Sequence, residues 1–112
     1  MATIRRKQQT SDFTWSSSTT ISGVVEIGES ATACIYFPAA FHTSAVTIQV
    51  AEARDGTFAT MEDDAGADVS VLTTITAERW QEVPAPLLVM HSLRLVGGTT
   101  SVVQTLKIST KG

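Results

Sequence analysis

The stretch Ala45–Phe58, "AVTIQVAEARDGTF", decides the fold. Val46, Ile48 and Val50 share one parity and Thr47, Gln49 and Ala51 the other, the spacing of a strand with one face on a core. β-branched residues at Val46, Thr47, Ile48 and Val50 favour the pleated conformation over a helix. Asp55-Gly56 then supplies the positive φ of a tight hairpin, and Phe58 resumes the apolar pattern.

The same alternation repeats on both sides. Ala33, Ile35 and Phe37 form an inward set, as do Val69 with Val71, Leu93 with Leu95, and Leu106 with Ile108, to which Val102 and a polar Gln104 add. Gly23, Gly28, Pro38, Gly66, Pro84, Pro86 and Gly97-Gly98 punctuate these runs. "AERWQEVPAPLLVM", Ala77–Met90, opens with helix formers, but Pro84 and Pro86 would break a helix there. About seven or eight short strands with turn signals every 8–12 residues read as a sandwich or a small barrel over residues 21–112, and the fold class expected is all-β, an antiparallel, jelly-roll-like β-sandwich.

A chain of 112 residues makes one domain with a core that needs no staples. Cys34 is the single cysteine, so no internal disulfide forms, and no His/Cys cluster has metal-ligand spacing. No window approaches the roughly 20 apolar residues that span a bilayer, and a soluble protein of a reducing cytoplasm is expected. The formal net charge of −3 argues against nucleic acid as the main partner.

Charge is unevenly placed. Arg5, Arg6 and Lys7 precede a polar, Ser/Thr-rich segment, whereas ten of the eleven acidic residues lie between Glu26 and Glu82. Residues 1–20 are predicted to be an extended arm, because Lys7–Thr20 has no sustained period and only Phe13 and Trp15 as large apolar groups. On that reading Arg5, Arg6 and Lys7 steer a partner by charge and Phe13 and Trp15 anchor it.

Candidate chemistry is sparse. Glu62, Asp63, Asp64 and Asp68 lack the D-x-D-x-D-G spacing of a calcium loop and read as a solvated second hairpin turn at Ala65-Gly66. His42 and His91 have no acid or nucleophile at a recognisable spacing, and Cys34 reads as a small hydrophobe in a strand. No catalytic, cofactor-binding or metal-binding residue is assigned, and the chain is not expected to be an enzyme. Trp15, Tyr36 and Trp80 are the aromatic candidates for a carbohydrate platform, Trp80 or Tyr36 foremost, although scattered aromatics are more often core or interface anchors.

The order "ACIYFPAAF", "AVTIQVAEARDGTFATMEDDAGADVSV" and "LRLVGGTTSVVQTLKI" resembles small β-sandwich virion proteins of tailed bacteriophages. The matching features are Pro38–Phe41, Asp55–Phe58, Asp63–Gly66, Gly98-Thr99 and Gln104, within a likeness that runs from Ala31 to Ile108. The resemblance implies a capsid decoration or cement protein, a homo-oligomer bound to the major capsid protein or another virion protein and assembled in the host cytoplasm. The alternatives are a carbohydrate-binding head-spike or tail module contacting the host surface, and a tail or neck ring component.

Overall fold

The computed structural model describes residues 8–112 except 29, 44, 63, 73 and 74. Its strands are β1 (Gln8–Trp15), β2 (Val25–Glu26), β3 (Thr32–Phe37), β4 (Val46–Ala51), β5 (Val71–Leu72), β6 (Arg79–Glu82), β7 (Ser92–Val96) and β8 (Gln104–Lys111). Ala85–Val89 forms one 3-10 turn after β6, where Pro84 and Pro86 exclude an α-helix.

Strand order is β1-β8-β3-β6 in one sheet, here sheet A, and β2-β7-β4-β5 in the other, sheet B. Every pairing is antiparallel, and β1 pairs with β8, β2 with β7, β3 with β6 and β4 with β5. These nested pairs alternate between the two sheets, the wrapping of a jelly roll. The sandwich expected from the alternation is therefore present.

The core is built from alternate positions of both sheets. Ile35, Phe37, Leu106 and Ile108 of sheet A face Ile48, Leu93 and Leu95 of sheet B, all buried. Leu87, on the 3-10 turn, is wholly buried and joins the same cluster.

The predicted arm needs correction. Gln8–Trp15 is a full edge strand, registered against β8 from Gln8 opposite Lys111 to Trp15 opposite Gln104. Phe13 is 7% exposed and Trp15 0%, so both are core residues and not anchors for a partner. The sandwich thus begins before residue 21. The apolar pattern misled because the burial of β1 alternates only over its last three residues, while Gln8–Asp12 are exposed. Main-chain hydrogen bonds to β8 order that polar half without a buried face. Arg5, Arg6 and Lys7 lie outside the described residues.

Three smaller expectations also change. Val71 is exposed and its neighbours Ser70 and Leu72 are buried, so the Val69/Val71 face is the wrong parity. Ser70 is inside because its hydroxyl accepts the Met61 N–H at 2.7 Å, while its own N–H is held by Asp68 Oδ1 at 2.7 Å. Val102 precedes β8 in a loop and is 62% exposed. Asp55-Gly56 is not a two-residue hairpin, since the ladder closes at Val50 and Ala59 and the Gly56 N–H donates to Ala53 O at 3.0 Å. Gly66, at φ +83°, is the glycine that occupies the left-handed region, at the turn between the bridged Glu62 and Asp68.

Candidate functional site

Two places concentrate the side chains that the sequence singled out. The first is a corner at one end of the sandwich, around Trp15. Its indole N–H donates to Thr19 O at 2.9 Å, and its ring meets Phe41 edge-on at 5.9 Å and His42 at 4.6 Å between centroids. Gly97 lies beneath it, where a Cβ would come 3.2 Å from Trp15 Cη2.

Gln104, at the start of β8, holds this corner together. Its Nε2 donates to Ala40 O at 3.1 Å, and its Oε1 accepts the His42 N–H at 3.2 Å and faces His42 Nδ1 at 2.5 Å. The His42 Nε2 faces Gly98 O at 2.7 Å, so both ring nitrogens point at acceptor oxygens. Ala40, at φ +56°, turns the chain so that Phe41 packs on Phe37 at 4.8 Å between centroids. Pro38–Phe41, Gly98 and Gln104, far apart in the sequence, are tied through His42 into one hydrogen-bonded unit. His42 is therefore a structural histidine of this unit.

The second place is the outer face of sheet A. Register puts Thr10, Ser109, Cys34 and Glu82 in one row across the sheet, and Asp12, Lys107, Tyr36 and Trp80 in the next. Gln8, Lys111 and Thr32 make a third. These side chains point away from the core because Phe13, Leu106, Ile35 and Ile108 take the alternate positions. Trp80 is 49% exposed, and its ring tilts against Tyr36 with centroids 5.5 Å apart.

Beside Trp80 the face carries a groove of about 420 Å³ lined by Gln8, Thr10, Thr32, Cys34, Ser109 and Lys111. Ser109 Oγ accepts from Gln8 Nε2 at 3.1 Å and shares a hydrogen bond with Thr10 Oγ1 at 3.3 Å. The outer face of sheet B is occupied differently. There Arg94 stacks over the Phe58 ring at 4.5 Å and donates to Gln49 at 2.9 Å, so the Ala53–Phe58 loop folds onto it.

The remaining candidates are scattered. Glu62, Asp64 and Asp68 are exposed around the Gly66 turn, and Asp63 lies outside the described residues. His91 Nδ1 contacts Ser92 Oγ at 2.8 Å at the start of β7. Among the described residues no three His, Cys, Asp or Glu side chains gather in a way that would hold a metal ion. No described helix is long and apolar enough to cross a membrane.

Sequence reasoning found Tyr36 and Trp80 but missed the polar partners Gln8, Thr10, Ser109 and Lys111. The alternation Thr105, Lys107, Ser109, Lys111 in β8 signals a polar outward face, yet nothing local says that β1 and β3 lie on either side of it. No family model, curated protein or solved structure matches the chain.

Proposed function

We propose that the protein is a structural component of a phage virion, a decoration module that binds an assembled shell and stabilises it. The observation that carries this reading is the Gln104 corner. Two of the features on which the resemblance rests, Pro38–Phe41 and Gln104, are joined there by the Gln104–Ala40 hydrogen bond, and His42 links Gln104 to a third, Gly98. These features of the sequence thus fall in one packed unit of the fold, which supports the reading. The jelly-roll order supports the same reading, since viral capsid domains use this architecture, although a fold hosts many functions.

The physical logic is mass action. A module that binds only the assembled lattice stabilises it by about 2.7 kcal/mol at a hundredfold excess over Kd, and repetition over the lattice multiplies the effect. With Phe13 and Trp15 in the core, attachment falls to the surface of the sandwich and to Arg5, Arg6 and Lys7.

The test is immunogold labelling of particles produced by cells that carry the gene, with antibody raised against the recombinant chain. Label over the shell is expected. Label confined to the tail would overturn decoration in favour of a tail or neck component, and unlabelled particles would overturn the virion reading.

A further inference from the structure

We infer that the outer face of sheet A is a saccharide-binding groove, with Trp80 as the stacking platform and Gln8, Thr10, Ser109 and Lys111 as the hydroxyl-binding edge. The inference does not depend on the virion reading. It rests on what the register brings together on one face.

A sugar ring presents an apolar face of C–H groups and a rim of hydroxyls, each both donor and acceptor. Recognition therefore needs a flat aromatic surface that water does not already compete for strongly, flanked by short polar side chains of mixed hydrogen-bonding sense. Trp80 supplies the surface, with 49% of the residue exposed on a sheet whose regular spacing holds it in place. Tyr36 braces it from the neighbouring strand at 5.5 Å, so the indole enters the groove already oriented. A large aromatic left half in water at such a position has no role in the core.

The edge is equally specific. Ser109 Oγ accepts from Gln8 Nε2 at 3.1 Å and lies 3.3 Å from Thr10 Oγ1, so the two hydroxyls share one hydrogen bond and one of their two hydrogens remains to meet an incoming oxygen. Gln8 keeps its amide oxygen as an acceptor, and the Lys111 ammonium adds a donor in the same wall. Donors and an acceptor thus converge beside a ring, with Thr32 next to Lys111 in the same row of the sheet. The groove volume of about 420 Å³ lies at the lower end of the range for small-molecule sites, the size of one or two sugar rings and not of a protein segment.

The experiment titrates the 15N-labelled full chain with four tetrasaccharides at millimolar concentration: chitotetraose, cellotetraose, maltotetraose and tetragalacturonate. At least one is expected to shift the Trp80 indole N–H and the Thr10 and Ser109 amides saturably, with Kd in roughly the micromolar to millimolar range of a shallow site. The Trp15 indole N–H, bonded to Thr19 O away from the groove residues, should stay in place and reports that each variant is folded. Trp80→Ala should weaken binding at least tenfold while Trp80→Phe retains part of it, and Ser109→Ala should weaken it less. Failure of all four saccharides to shift these signals would overturn the inference, as would binding that survives Trp80→Ala. If Trp80→Ala instead lowers occupancy on the particle and no saccharide binds, the face is a protein-attachment surface and the saccharide assignment is wrong.

Discussion

Replacing Trp15 with Ala discriminates most sharply between a docking arm and a core strand. An arm residue would leave the folded domain untouched. In the structure the side chain is wholly buried, edge-on to Phe41 and His42, and lies over Gly97. Truncating a buried Trp costs about 3–5 kcal/mol, lost transfer energy plus the cavity left behind. The lost indole hydrogen bond adds little, because Thr19 is only half-buried and water can reach its carbonyl. At about 0.05–0.15 kcal/mol per residue a chain of 112 residues has roughly 6–17 kcal/mol in total, so the substitution removes a large share. With a urea slope of about 1–3 kcal/mol/M, the midpoint should fall by about 2 M at unchanged slope, followed by far-ultraviolet circular dichroism. A fall of less than about 0.5 M with normal slope would refute the reasoning, for it would mean that the ring contributes under about 1 kcal/mol and is not in the core.

Gln104→Ala should cost about 2–3 kcal/mol, since it deprives the Ala40 carbonyl, the His42 N–H and a His42 ring nitrogen of their shared partner; faster hydrogen exchange of the His42 amide, with the β-sheet amides of β4 and β7 unchanged, locates the effect. Gly66→Ala should lower stability by about 1–2 kcal/mol in chemical denaturation, because φ +83° strains any residue with a Cβ, although a Cβ there would meet no neighbour. Calcium should leave the melting temperature unchanged: Glu62, Asp64 and Asp68 are splayed into solvent around a turn, and Asp68 Oδ1 already accepts the Ser70 N–H. A rise of several degrees with calcium would show that the acidic hairpin is a cation site.

Where sequence patterns failed, a polar group had taken a place that apolar periodicity reserves for hydrophobes, or the reverse. Ser70 is inside because its hydroxyl and amide are both bonded locally, and this inverts the parity expected from Val69 and Val71. Gln104, which the alternation does place inward, stays there for a related reason: its amide satisfies both a carbonyl and an N–H of the Pro38–His42 corner. β1 escaped notice because its hydrogen bonds lie along β8, and a main-chain ladder leaves no trace in side-chain hydrophobicity.

By itself the sequence determined the material of this protein: strands, from the period-two alternation in Val46–Val50, Ala33–Phe37 and Leu93–Leu95, and turns, from Gly66 and the Pro84 and Pro86 break. Those are local properties, set by where consecutive Cβ atoms point and by which residues tolerate special dihedrals. Only the tertiary structure decided which strands are neighbours. Placing β8 between β1 and β3 brings together Gln8, Thr10, Ser109 and Lys111, residues about a hundred positions apart, and sets them beside Trp80 across β3. Sheet order is a choice among long-range pairings whose closure entropy and packing belong to the whole chain, so the groove exists only once the jelly roll has closed.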